Sequence, residues 1–343
     1  MTVSDTQLSE SDKPKLQHVG FLLIPEFAML PYASVIEPLR AANRLSGQNL
    51  YRWSHISIDG AAVAASNGVK FAAEHAVGTG AEFDYVFACA GGNPSKFLHR
   101  PTFAWLRRLA RRRVKLGGIS GGPYLLARAG VLAGYRFTIH WEHAPAFAEE
   151  YPDLDVRRSL FEIDRDRLTS SGGTAPLDMM HHLIAQEHGS SLAVAVSEWF
   201  LQTHVREGAG SQRMPLRERL GIAHLPLLRV IGRMEQTVEN PLPRAELAAL
   251  AGLSIRQLER LFRKHLDRSI DQHYLGLRLE HARALLRQTS LSVLETAMAC
   301  GFTSASHFSR CYRDRYGTSP QAERLHKPTE GRDVPSQRRS LRS

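Results

Sequence analysis

Between residue 18 and about residue 190, short runs of β-branched and aromatic residues alternate with stretches whose apolar positions recur every three to four residues. The runs fall at 18–24, 52–58, 84–89 and 114–119, and helical periodicity follows at 31–45, 103–113, 122–129 and 175–187. Strand and helix in alternation predict a mostly parallel sheet covered by helices. A further run, 157–169, alternates less cleanly through Leu160, Ile163 and Leu168 and is expected to be extended. Around 206–221 (REGAGSQRMPLRERLG) the pattern gives way to Gly, Ser, Pro and charge, as linkers do. Beyond it strand signals nearly vanish and helical patterning continues to about residue 325. The predicted organisation is a polar tail (1–17), an α/β domain (18–205), a linker (206–224), an all-helical domain (225–325) and a polar, basic tail (326–343) expected to be disordered.

The helical part matches itself at an offset of 50 residues. Ala249, Ser254, Arg260, Phe262, Arg263 and Ser269 fall on Ala299, Ser304, Arg310, Tyr312, Arg313 and Ser319. Each copy has the parts of a helix-turn-helix: a short helix, a turn at Gly252 or Gly301, and a second helix with Ser254 or Ser304 at its N-cap. Leu258, Leu261 and Phe262, and in the second copy Phe308, Cys311 and Tyr312, are expected to face inward. The opposite faces then group Arg256, Glu259 and Arg260, and Ser306, Ser309 and Arg310. Arginine suits guanine O6 and N7, Glu accepts from cytosine N4, and serine discriminates little, so the first helix should read the more exacting sequence. Arg263 and Arg313, one turn on, are placed for phosphates, as are the capped helix starts. The full candidate DNA-facing set adds Ser254, Gln257, Ser304 and His307. An amphipathic stretch at 273–288 separates the copies and could hold the two reading helices about 34 Å apart, one turn of B-DNA.

Charge agrees with that placement. The chain of 343 residues carries a net charge of +10, yet residues 1–210 hold 21 basic against 21 acidic residues and residues 211–343 hold 23 against 13. The whole basic excess sits in the helical third, where a polyanion binder would need it. No apolar run approaches the roughly 18–20 residues of a membrane span, and the N-terminus lacks the apolar core of a signal peptide, so a cytoplasmic protein without membrane contact is expected. Cys89, Cys300 and Cys311 show no metal-binding spacing and read as small buried hydrophobes; neither cofactor nor metal is expected.

The segments LAALAGLSIRQLERLFRKHL, RLEHARALLRQTSLSVLETAMACGF and SHFSRCYRDRYGTSP resemble the DNA-binding domain of the AraC/XylS family over 225–323. That resemblance implies a transcription regulator with two helix-turn-helix units acting on double-stranded DNA, with RNA polymerase as a further partner.

In the first half, Gly118-Ile119-Ser120-Gly121-Gly122 satisfies the G-x-S-x-G of a hydrolase nucleophile elbow. Alone it would point to an esterase using Ser120, with Asp178 and His182 as conceivable partners. The region as a whole resembles something else. EPLRAANRLSG (37–47), CAGGN (89–93), GISGGPYLLARAGVLAG (118–134), TIHWEH (138–143) and TSSGGTAPLDMMHHLIAQEHG (169–189) are similar to the flavodoxin-like, PfpI/amidotransferase-like domain that GlxA-type AraC regulators carry at their N-terminus. Enzymes of that superfamily hold a cysteine at the elbow and a carboxylate after the first strand; here Ser120 and Pro31 occupy those places. The resemblance therefore implies an enzyme fold retired to effector sensing. Backbone N–H groups of Gly91, Gly92 and Asn93, and of Gly121 and Gly122 beside Ser120, are expected to bind a carboxylate. His140, Trp141, Trp53 and Tyr124 are the candidates for contacting the rest of the ligand, the aromatic faces suiting a cation. The resemblance extends to regulators of quaternary-amine and amino-acid catabolism, which implies carnitine or glycine betaine as effector, with arginine as the alternative, and a homodimeric activator.

Overall fold

A computed structural model describes residues 15–325, which form two compact units, one ending at Pro215 and the other starting at Leu216. The expected tails lie outside the described residues except at 15–17, where Gln17 already begins the first strand.

The first unit is built on a seven-stranded sheet. β1 (Gln17–Leu23) lies at its centre between β2 (Tyr51–Ser57) and β6 (Tyr85–Ala90), all parallel. β7 (Lys115–Ser120) extends the sheet beside β6, and β11 (Arg167–Ser170) beside β7, again parallel. β5 (His75–Ala76) closes the β2 edge; β10 (Phe161–Asp164) closes the other edge antiparallel to β11. Two small pairs stand apart, β3 (Val63–Ala64) with β4 (Lys70–Phe71), and β8 (Phe137–Thr138) with β9 (Val156–Arg157). Strand β6, and β1 from Val19 on, read as unbroken apolar runs because helices cover both faces. On one side α1 (Met29–Ser46), α5 (Ala175–His188) and α6 (Ser190–Trp199) enclose a core around Phe21, Phe87 and Met179. On the other, α2 (Arg100–Arg111) and α3 (Gly122–Arg128), with the short α4 (Ala144–Glu150), pack around Leu106, Tyr124 and Phe147.

Two stretches depart from expectation. Residues 157–169 are not one strand but β9 followed by the β10–β11 hairpin, which turns at Arg165 with φ 57°. Tight hairpins need left-handed backbone, and without an Asn-Gly or Asp-Gly signature this one was invisible in the sequence. The expected linker is not free either. Arg206 donates from Nε (3.0 Å) and Nη2 (2.6 Å) to Asp178 Oδ2 and from its N–H to Oδ1 (2.8 Å), while Gly208 accepts from Leu160 N (2.7 Å). Further along, α7 (Leu216–Leu220) packs Leu216 and Leu220 into the second unit.

That second unit is entirely helical: α8 (Leu225–Gln236), α9 (Arg244–Ala251), α10 (Ile255–Leu266), α11 (Ile270–Gln288), α12 (Val293–Ala299), α13 (Ala305–Tyr316) and α14 (Pro320–Leu325). Capping boxes mark three starts, pairing Ser254 with Gln257, Ser269 with Gln272 and Ser292 with Glu295. The Ser269 box explains why α11 begins three residues before the amphipathic run was read to begin. Leu258 and Phe262 of α10 and Phe308 and Tyr312 of α13 are fully buried, as expected, whereas Leu261 and Cys311 are only partly so. Cys89 and Cys300 are buried, so the reading of all three cysteines as core residues holds for two. α14 is tied to α11 through Glu323, 3% exposed, which accepts from Arg283 Nε (3.1 Å) and Arg287 Nε (2.6 Å).

Candidate functional site

In the sheet order the chain proceeds outward from β1 in both directions, so β1 and β6 border a topological switch point, where open α/β sheets place their ligands. Several loops converge there at the C-terminal ends of the strands. After β1, Glu26 adopts φ 65°; at the last residue of β7, Ser120 adopts φ 59°. Left-handed conformations cost a non-glycine residue about 1–2 kcal/mol and collect at functional sites. Between them runs the loop after β6, pressed so close that a Cβ on Gly91 would lie 2.6 Å from the Glu26 carbonyl oxygen. A Cβ on Gly92, itself at φ 55°, would lie 3.0 Å from the Glu26 carboxylate. From β11 comes Gly172, φ 99°, whose added Cβ would stand 3.0 Å from Ser120 Oγ. His140 N–H donates to the Ser120 carbonyl (3.3 Å), which sets the 138–143 segment against the elbow.

Glu26 escaped the sequence reading, since Pro-Glu after a strand carries no motif; only its backbone conformation reveals it. It places an exposed carboxylate at the crevice, suited to a cation. His140 stays neutral: burial holds its imidazole below the usual range against the opposing pull of the Glu142 carboxylate 3.7 Å away. The neutral ring accepts the Glu142 N–H at Nδ1 (3.4 Å). Among the described residues no hydrogen bond joins the Ser120 hydroxyl to an imidazole.

Several expected site residues are engaged elsewhere. Gly121 N–H is not open to a ligand, because it donates to Ala90 O (3.0 Å). Tyr124 offers no free face; it is 1% exposed, edge-on to Phe147, and its hydroxyl donates to Glu150 Oε2 (2.6 Å). Trp53 lies within β2 against the α1-side core rather than at a strand end. Asp178 is wholly buried and held by Gln202 and Arg206, and His182 bonds its own helix at Asp178 O (2.9 Å), so neither forms a triad with Ser120. Trp141 does remain exposed at 41%, and the Arg213 guanidinium carbon lies 4.6 Å from its ring centroid.

In the second unit, α10 and α13 are each twelve residues long and start 50 residues apart. Ser254 Oγ accepts from Gln257 N (3.3 Å) and Gln257 Oε1 from Ser254 N (2.9 Å), so both side chains cap the helix rather than face a base. Ser304 Oγ likewise accepts from His307 N (3.4 Å). Glu259 is also diverted: its Oε2 accepts from Ile270 N (3.3 Å) at the start of α11, and Oε1 sits 3.7 Å from Arg263 Nε. A carboxylate anchoring the next helix is a poor reader of cytosine. Arg256, Arg260, Ser306, His307, Arg310 and Arg313 are exposed, with Ser309 half-buried beside them.

Two family models match the chain, the helix-turn-helix domain over residues 247–325 and the DJ-1/PfpI family over residues 21–186. The HTH-type transcriptional regulator CdhR of Pseudomonas aeruginosa is 48% identical over 308 residues, 90% of this chain and 91% of that protein. The HTH-type transcriptional regulator GbdR of Pseudomonas aeruginosa is 44% identical, covering 91% of this chain and 85% of the relative. The HTH-type transcriptional regulator GlxA of Rhizobium meliloti is 44% identical over 91% of this chain and 97% of its own length.

Proposed function

The chain belongs to the AraC-type transcription regulators that join a DJ-1/PfpI domain to a pair of helix-turn-helix units, and on that footing we propose that it answers a small cationic carboxylate bound at the switch-point crevice. It binds DNA and is a regulator rather than an enzyme. The observation carrying the effector reading is the Glu26 carboxylate packed against Gly92 at the C-terminal ends of the strands, with left-handed backbone at Glu26 and Ser120, His140 bonded to the Ser120 carbonyl and the Trp141 ring next to His140. A carboxylate and an indole suit a quaternary or guanidinium cation, and the amides of Gly91 and Gly92 suit the ligand's own carboxylate. Glycine betaine and carnitine fit that description best, and arginine second.

Calorimetry on the full chain with glycine betaine, carnitine, arginine and choline tests the assignment. Heat is expected from a betaine, weaker from choline, and Glu26→Gln should weaken the betaine by about 5- to 30-fold, the worth of one charge-assisted contact. Absence of heat from every quaternary amine would remove the reading.

On the DNA side, Arg256, Arg260 and Arg310 are the proposed base readers, with Ser306, His307 and Ser309 alongside and Arg263 and Arg313 on phosphates. Arg260→Ala should cost about 1–3 kcal/mol on the cognate site and relax its sequence preference. Arg263→Ala should instead weaken all sequences alike and lower the salt slope by about one, after the loss of its weak pairing with Glu259 is allowed for. Gel shifts over a salt series on matched and scrambled duplexes separate the two; equal losses on both duplexes for Arg260→Ala would refute the division. We further place the protein in the cytoplasm as a homodimeric activator that touches RNA polymerase, two copies doubling the contacts to an operator by effective concentration.

A further inference from the structure

We propose that the α/β unit has a second small-molecule site, at the end of the sheet opposite the crevice, which takes a phosphate dianion, free or as a monoester, between the guanidinium groups of Arg107, Arg111 and Arg167. What binds at the crevice has no bearing on it.

A cavity of about 390 Å³ lies where the C-terminal half of α2 meets the loop after α3 and the start of β11. Arg107 and Arg111, four residues apart on one face of α2, line it together with Val131 of the loop, Tyr135 and Arg167. Arg167 registers with Leu116 near the start of β7, whereas Ser120 of the crevice ends that strand. At about 3.3 Å per residue the two sites stand about 13 Å apart along β7, sharing a strand but no lining.

Arginine on an exposed helix face ordinarily needs no ligand, because water solvates it. Three features set this cavity apart. First, Arg167 lines it although only 4% exposed. Its Nε donates to Val131 O (2.8 Å) and its Nη1 to Asp166 O (3.1 Å), with the Asp166 carboxylate 2.9 Å from Nη1. The guanidinium is thereby fixed, and Nη2 is the edge that donates to nothing among the described residues. Second, the local carboxylates are committed elsewhere: Asp166 to Arg167 and the Tyr135 hydroxyl (2.8 Å), Asp164 to Arg165 Nε (3.1 Å) and Arg136 N–H (2.9 Å). Arg107 makes one long bond, from Nη1 to Ala129 O (3.4 Å), and neither it nor Arg111 is ion-paired among the described residues. Two uncompensated positive charges therefore share one cavity, which matches the charge of about −1.5 to −2 on a phosphate monoester. Third, residues 100–115 hold seven basic and no acidic residues, a field that concentrates anions there. Guanidinium forks fit phosphate oxygens, and the volume leaves room for the alcohol half of an ester. A betaine would bring its ammonium against three guanidiniums, so the two sites select opposite charges.

Calorimetry on the full chain at low salt, with inorganic phosphate and adenosine monophosphate as probes, tests the site. Both Arg107 and Arg111 are exposed, so Arg107→Gln and Arg111→Gln should leave the fold intact. Adenosine monophosphate should bind the wild type with a Kd of about 1 mM or tighter, each single variant about 5- to 10-fold more weakly, and the double variant about 30-fold or more weakly. Hydrogen exchange in 105–113 and 129–133 should fall on adding it to the wild type and stay unchanged in the double variant. Equal binding to wild type and double variant would place the anion on other cations of the chain and overturn the site. So would the absence of heat from both probes up to about 10 mM. A third outcome overturns it as well: neither probe distinguishes the proteins, yet the double variant lowers the salt slope on a long random-sequence duplex, which would assign these arginines to DNA phosphates.

Discussion

Gly122→Ala is expected to destabilise the α/β unit by about 3 kcal/mol or more while sparing the helical one. A Cβ at Gly122 would stand 1.9 Å from Ala88 O, and nothing nearby can retreat. Ala88 lies in β6, registered between Leu22 of β1 and Gly118 of β7, so its carbonyl is locked on both sides. Overpacking usually costs about 1–3 kcal/mol against side chains that shift; against a central strand's backbone the cost should reach or pass the upper figure. Domains have only about 5–15 kcal/mol in hand. Gly134→Ala is the control: at φ 74° with nothing within 4 Å it adds strain alone, about 1–2 kcal/mol. The chain's four tryptophans, Trp53, Trp105, Trp141 and Trp199, all belong to the first unit, so their fluorescence follows its unfolding selectively. A urea midpoint for Gly122→Ala equal to that of Gly134→Ala would show the packing argument to be wrong.

Arg206→Ala should have the next largest effect, a loss of about 3 kcal/mol from the same unit. Asp178 is 0% exposed and would keep only Gln202 Nε2 (2.8 Å) and the backbone N–H of residue 206 (2.8 Å) as partners. Stripping one partner from a buried pair typically costs about 3–5 kcal/mol, and the surviving bonds favour the low end. The charge left behind is the cause, so adding Asp178→Asn to Arg206→Ala should restore part of the loss. A double mutant no more stable than Arg206→Ala would contradict that cause.

How much of this was legible in advance depends on where the signal resides. Four of the parallel strands, β1, β2, β6 and β7, were found within a residue at each end because apolar runs and helical spacing are local, and two covered faces make them emphatic, whereas the two-residue β5 was not seen and β11 was not separated from the 157–169 run. The 50-residue offset placed α10 and α13 correctly because their serine caps and buried aromatics repeat. What failed was long-range. Glu259 looked like a base reader until α11 folded back onto it, and Gly121 looked like a free donor until the end of strand β6 arrived beside it. Residues 206–213 have the composition of a linker, yet a single buried carboxylate 28 positions earlier in the chain pins them down. Glu26 was missed for a different reason: its role shows in a backbone angle, which no residue type announces.

The three capping boxes have a bearing on assembly. At Ser254, Ser269 and Ser292 each helix start is specified within four consecutive residues, with both orphan donors satisfied on the spot. Contacts so close in sequence close cheaply, and helical domains dominated by them fold within microseconds to milliseconds. The DNA-reading unit is synthesised after the α/β unit, yet it should reach its native shape as soon as it clears the ribosome, well ahead of the slower pairing of parallel strands upstream.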